Sequence, residues 1–158
     1  MEMKLTDHFT LEEFTRSETA ERLGIRNVPS EQAIANLKKL CQNVLEPLRT
    51  YSGCPVIVSS GYRCPELNAA VGGVSNSQHI TGQAADIGIS RKESRTLPDM
   101  AEFIRSRCDY DQLILEHTEK RDCFWLHVSY AEGKNRRQFF KAAVATEKHI
   151  SGAELQQN

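Results

Sequence analysis

The sequence predicts an α+β domain: a central antiparallel sheet with helices packed on one side and an open face on the other. Three observations carry that expectation. One long amphipathic helix is followed by a separate β-branched strand. Helices and strands then come in unequal runs rather than in strict alternation. The last two strand candidates lie close enough along the chain to pair as a hairpin.

In order, Thr10-Leu11-Glu12-Glu13 reads as an N-cap with acidic first-turn residues and suits a short helix to about Arg16. Asn27-Val28-Pro29-Ser30 breaks the chain, and Ser30 opens a second helix. There Ile34, Leu37, Leu40, Val44, Leu45 and Leu48 recur at three- and four-residue spacing, one apolar stripe to about Thr50. Gly53 and Pro55 end it, and Val56-Ile57-Val58 reads as a buried strand. Pro65 can start a short helix to Ala70, followed by a loop through Gly72-Gly73 and 75–78. Residues 84–89 form the next strand, and Pro98 starts a helix with Met100, Phe103 and Ile104 on one side. Asp109-Tyr110-Asp111 marks its exit, and strands over 113–115 and 124–130 complete the hairpin across a polar connection.

A chain of 158 residues with 39% hydrophobic and 26% charged residues is the size and balance of one ordinary globular domain. We place that domain at 1–150, its core at 9–142, and a frayed polar tail at 151–158. A net charge of -1, from 20 basic and 21 acidic residues, gives no field to collect nucleic acid, and no transmembrane segment is expected. Cys41, Cys54, Cys64, Cys108 and Cys123 form no CxxC pair and read as reduced thiols. The first nine residues carry Glu2, Lys4 and Asp7 and no signal-like apolar stretch. Synthesis in the cytoplasm is therefore expected, with release or delivery to any substrate outside it.

Two places set chemistry-bearing residues inside apolar strands. In Ser77-Gln78-His79-Ile80-Thr81-Gly82-Gln83-Ala84-Ala85-Asp86, a histidine and an aspartate flank a turn entering a strand. An ionised carboxylate between Ala85 and Ile87 is costly unless paired or bound to a cation. In Trp125-Leu126-His127-Val128-Ser129-Tyr130, a second histidine interrupts large residues. Two histidines and one carboxylate that leave a position for water are a ligand set of catalytic zinc. Taken singly, His79 also fits a plain loop histidine, His127 a satisfied core histidine, and Asp86 a turn cap or an arginine partner.

A resemblance adds to this. Phe9-Thr10-Leu11-Glu12-Glu13-Phe14, Val44-Leu45-Glu46-Pro47-Leu48-Arg49, Ser59-Ser60-Gly61-Tyr62-Arg63, the SxHxxGxAxD stretch from Ser77 to Asp86, and Trp125 to Tyr130 with Asn135-Arg136-Arg137 resemble the zinc D-alanyl-D-alanine peptidase family. That family includes bacterial carboxypeptidases and phage endolysins that cut peptidoglycan cross-bridges. It shares its fold with lysostaphin-type peptidases and hedgehog domains. The resemblance implies zinc held by His79, Asp86 and His127, with Arg63 facing the substrate and steadying a developing oxyanion. It implies action on a peptidoglycan peptide, as carboxypeptidase or endopeptidase, of the phage or prophage endolysin type; a monomer is expected. Ser77, Gln83 and Trp125 are placed with the substrate.

The general base departs from the pattern. Several relatives carry an acid three positions before the last histidine, where this chain has Phe124. Glu116 is the expected base if the hairpin sets it opposite Trp125, since alternation then puts it on the face of His127. A one-residue slip would turn it away and leave Asp122 as the second candidate. Phe124 also keeps a rival alive, a non-catalytic zinc-containing module that recognises cell wall or a protein partner.

Overall fold

The structure is a computed structural model and describes residues 2–89, 96–118, 123–144 and 156–157. Near its start, β1 (Lys4–Thr6) and β2 (Phe9–Thr10) pair antiparallel. Helix α1 (Leu11–Thr15) begins at Thr10, whose amide donates to Glu13 Oε2 at 2.7 Å. Helix α2 (Glu18–Leu23), capped by Ser17 and ended by Gly24 at φ 67°, lies outside the sequence expectation. It buries only Ala20, so it has no apolar stripe to betray it.

The long helix forms where its stripe requires it, but not as a uniform α-helix. It runs as α3 (Glu31–Leu40), a wider π-type turn over Cys41–Leu45, and α4 (Glu46–Ser52). The Glu46 amide reaches back five residues to Cys41 O just before Pro47. A proline there has no N–H for the fourth carbonyl back and would collide with it, and widening the preceding turn relieves both faults. Leu37, Leu40, Val44, Leu45 and Leu48 still share one buried face. Helix α5 (Pro65–Ala70) begins at Pro65, and α6 (Leu97–Arg107) is capped by Thr96 with Asp99.

The main sheet holds β3 (Val56–Ser60), β4 (Ala84–Ile89), β5 (Gln112–Thr118), β6 (Cys123–Ser129), β7 (Gln138–Val144) and the two-residue β8 (Gln156–Gln157), in the order β3-β4-β6-β5-β7-β8. The α+β expectation holds, with two corrections. The sheet is mixed, because β7 runs parallel to β5. And β3 is an edge strand rather than a buried one, with Ile57 49% exposed. Of the expected tail only Gln156–Gln157 are described, paired with β7, and the rest lies outside the described residues.

Strand alternation gives the two faces opposite duties. Ala85, Ile87, Leu113, Leu115, Leu126 and Val128 join Leu37, Leu40, Val44, Leu48, Met100 and Ile104 in one core under the helices. The intervening residues, among them Asp86, Glu116 and His127, therefore belong to the other face. No helix among the described residues is long and apolar enough to cross a membrane. Cys41, Cys54, Cys64 and Cys108 carry free thiols.

Candidate metal centre

Register brings the centre together. Asp86 on β4 stands opposite His127 on β6, and His127 stands opposite Ile114 on β5. One step along, Glu116 stands opposite Trp125, the pairing that the expected base required. His79 comes from the loop before β4 and is fixed by its backbone and its ring. Its amide donates to Ser77 Oγ at 3.2 Å, and its carbonyl accepts the Arg63 amide at 3.0 Å. Its Nδ1 lies 2.7 Å from Gly61 O. A carbonyl can only accept, so Nδ1 carries the proton and the lone pair sits on Nε2. Gly82, at φ 74°, turns this loop into β4 against Ala33 O, where no Cβ would fit.

The ring nitrogens converge on one carboxylate oxygen. Asp86 Oδ1 lies 3.0 Å from His127 Nδ1 and 3.5 Å from His79 Nε2. All three residues are buried, and their donor atoms lie within 4.8 Å of one another. Donors about 2.0–2.2 Å from a tetrahedral zinc stand roughly 3.3 Å apart, so the observed spacings fit a shared ion with little movement. The donor set fits as well: two imidazoles, one with its tautomer already fixed, and one carboxylate.

Electrostatics separate the members. Burial pushes His79 below the ordinary histidine range, against the pull of Asp86. Burial pushes Asp86 up, but the imidazoles of His79 and His127 outweigh it and hold its carboxyl well below the usual range. Burial also pushes His127 down, and its hydrogen bond to Asp86 reverses this and raises it. For Glu116 burial and the neighbouring Asp86 charge act together and push the carboxyl up to about 7, while the Trp125 side chain hydrogen-bonds to it. Arg63 comes within 3.9 Å of Asp86 Oδ2 through Nη2, with Nε on Ser60 Oγ at 3.2 Å and Nη1 on Asn68 Oδ1 at 3.1 Å.

A model of the peptidase M15 family matches residues 7–128. The chain belongs to that family. Comparison with curated proteins gives no match. M15 membership makes peptidase chemistry the frame for the remaining site residues. Half-buried Trp125 lies beside Glu116. Gln83 is half-buried and accepts from Thr81 Oγ1 at 2.6 Å, while the Gln83 carbonyl takes the Tyr130 amide. Ser77 is buried under His79. Asp122 lies outside the described residues.

Arg136 is tied to buried Asp111 by a fork of 2.9 Å bonds from Nε and Nη2. His117 stacks on Phe124 with ring centroids 4.1 Å apart, at positions that alternate away from Glu116 and His127. Sequence reasoning missed Asn68, a polar residue inside a short helix. The one available signal was an asparagine beside a buried leucine before Gly72-Gly73.

Proposed function

We propose that the protein is a zinc-dependent peptidase that hydrolyses an amide bond in the peptide stem or cross-bridge of bacterial peptidoglycan, as a D-Ala-D-Ala carboxypeptidase or endopeptidase of the endolysin type. The observation that carries this reading is the convergence of His79 Nε2, Asp86 Oδ1 and His127 Nδ1 within 4.8 Å on the open sheet face of an M15 peptidase. Zinc in such a site supplies Lewis acidity toward a carbonyl oxygen and lowers the pKa of water toward ~7.

The chain's own residues supply the rest. Glu116, one row from His127, takes a proton from the attacking water and returns it to the leaving amine. Its carboxyl is buried beside Trp125, where little bulk water competes for that proton. Arg63, also buried, presents a permanently charged planar fork to the negative charge that develops on the scissile carbonyl oxygen. Trp125 is exposed enough to offer an apolar wall to the substrate. The non-catalytic alternative leaned on Phe124, and Glu116 on the site face is the feature that favours hydrolysis over it.

We place its action at the cell wall. Dialysis against a chelator followed by digestion of purified wall tests the reading. Activity should vanish and return with added zinc, and mass spectrometry of the released muropeptides identifies the bond. Full hydrolysis by metal-free protein would overturn it. Stoichiometric zinc without cleavage of any wall fragment would favour the binding module instead.

A further inference from the structure

Arg63 is 5% exposed, and a guanidinium so buried must have its N–H groups met and its plane fixed by the protein around it. Its Nε donates to Ser60 Oγ and its Nη1 to Asn68 Oδ1. Because the guanidinium is planar and rigid, two held nitrogens define the direction of the third, and Nη2 is the one 3.9 Å from Asp86 Oδ2.

Asn68 is itself unusually constrained. It is 2% exposed on α5, and its Nδ2 donates to Val74 O at 2.8 Å. Val74 O can only accept and Arg63 Nη1 can only donate, so the amide has one allowed orientation. Its backbone closes the same loop, with the Asn68 amide on Cys64 O at 2.9 Å and the Gly73 amide on Asn68 O at 2.8 Å. Gly73 completes the clamp: a Cβ there would collide with Asn68 Oδ1 and stand 2.8 Å from Arg63 Nη1. Gly73 is not among the positive-φ glycines, so the demand for glycine comes from this close approach and not from the backbone.

We propose that Asn68, kept in place by Val74 and by the absent side chain of Gly73, is a positioning residue that aims the Arg63 guanidinium into the metal centre. The role rests on the hydrolytic reading above, which assigns Arg63 to the substrate. It predicts that Asn68 acts only through Arg63.

Two measurements test it on the full chain. Side-chain 15N–1H spectra of metal-free protein, with the Arg63 signals assigned from an Arg63→Ala spectrum, should show restricted Nη rotation in the unmodified protein. In Asn68→Ala and in Gly73→Ala those signals should average. Gly73→Ala keeps both polar partners and serves if Asn68→Ala does not fold. Unchanged Arg63 signals in either folded variant overturn the proposal. In turnover, Asn68→Ala should lower kcat by about 10–100-fold with KM within about threefold, the scale of a small misplacement of a reacting group. Zinc content should be unchanged. In an Arg63→Ala background the same substitution should cost nothing more, whereas a further equal loss would make Asn68 merely structural and overturn the role. If the unmodified protein cleaves no wall fragment while the spectra respond as expected, the clamp stands and the hydrolytic reading fails.

Discussion

Asp86 and Asp111 are both shut away from water, at 8% and 1% exposure, and their surroundings treat them in opposite ways. Asp111 is saturated by hard donors: Arg136 N, Nε and Nη2 at 2.9 Å each and Gln78 Nε2 at 2.8 Å. Asp86 meets two imidazole nitrogens at 3.0 and 3.5 Å and a guanidinium at 3.9 Å. The first is a finished ion pair. The second is a carboxylate that His127 meets with a hydrogen bond while His79 turns the lone pair of Nε2 toward it, an arrangement that a cation among the three would complete. The two are also neighbours, because Gln78 ties Asp111 to the loop that carries His79. The lock at Asp111 thus steadies the backbone that presents His79, a candidate metal ligand.

The comparison breaks most visibly on metal. Zinc at a thousandfold excess over its Kd should stabilise the unmodified protein by about 4 kcal/mol, read from denaturation midpoints. Asp86→Asn should lose that response together with turnover, while Asp111→Ala should keep the response from a lower starting midpoint. A zinc response that survives in Asp86→Asn would place the metal elsewhere. Next in size is Glu116→Gln, which should keep zinc and lower kcat by about two to four decades. Unchanged turnover in that variant would move the base off β5.

Asp111→Ala sharpens the other half. It strips the donors of Arg136 and Gln78 of their acceptor and should cost about 2 kcal/mol at neutral pH, since hydrogen bonds to a charged group are worth about 1.5–3 kcal/mol and Arg136 is partly solvated. Its pH dependence has a definite sign. Burial pushes the Asp111 carboxyl up, but the hydrogen bonds of Arg136 and Gln78 prevail and hold it below the ordinary value. A depressed carboxyl contributes stability that is complete above its unfolded pKa of about 3.9 and is lost as pH falls through the lower folded value. The gap between the unmodified protein and Asp111→Ala should therefore be constant near neutrality and narrow below about pH 4. A gap that instead widens in acid would mean the ion pair is not what holds Asp111.

What the sequence made legible follows from the same contrast. A stripe such as Leu37, Leu40, Val44 and Leu48 is visible because only one helix face is buried, and strand alternation made the pairing of Glu116 with Trp125 a definite alternative. Strand β7 escaped because Phe139 packs toward the core while Phe140 pairs with Ile114 on the opposite face, leaving no alternation to read. Helix α2 escaped because it buries one small residue. Arg136 and Asn68 escaped for a different reason: their partners, Asp111 and Arg63, lie 25 and 5 positions away and are set by tertiary approach. Local pattern carries information about faces, and it carries little about which polar group meets which.

Phe124 gives the smallest expected effect and the finest test of register. It occupies the position where the family resemblance leads one to expect an acid, yet alternation along β6 turns it away from Trp125 and His127, onto His117. It is 49% exposed, so its truncation removes little buried area. Phe124→Ala should then change stability by no more than about 1 kcal/mol, the worth of one exposed cross-strand pair. Turnover should stay within twofold or so, because nothing on the site face is touched. Phe124→Glu sharpens the point: with Glu116→Gln in the same chain, an acid on the wrong face cannot restore the lost turnover. Recovery of activity in that double variant would mean that β6 slips by a residue in solution, and the shared face of Asp86, His127 and Glu116 would have to be redrawn.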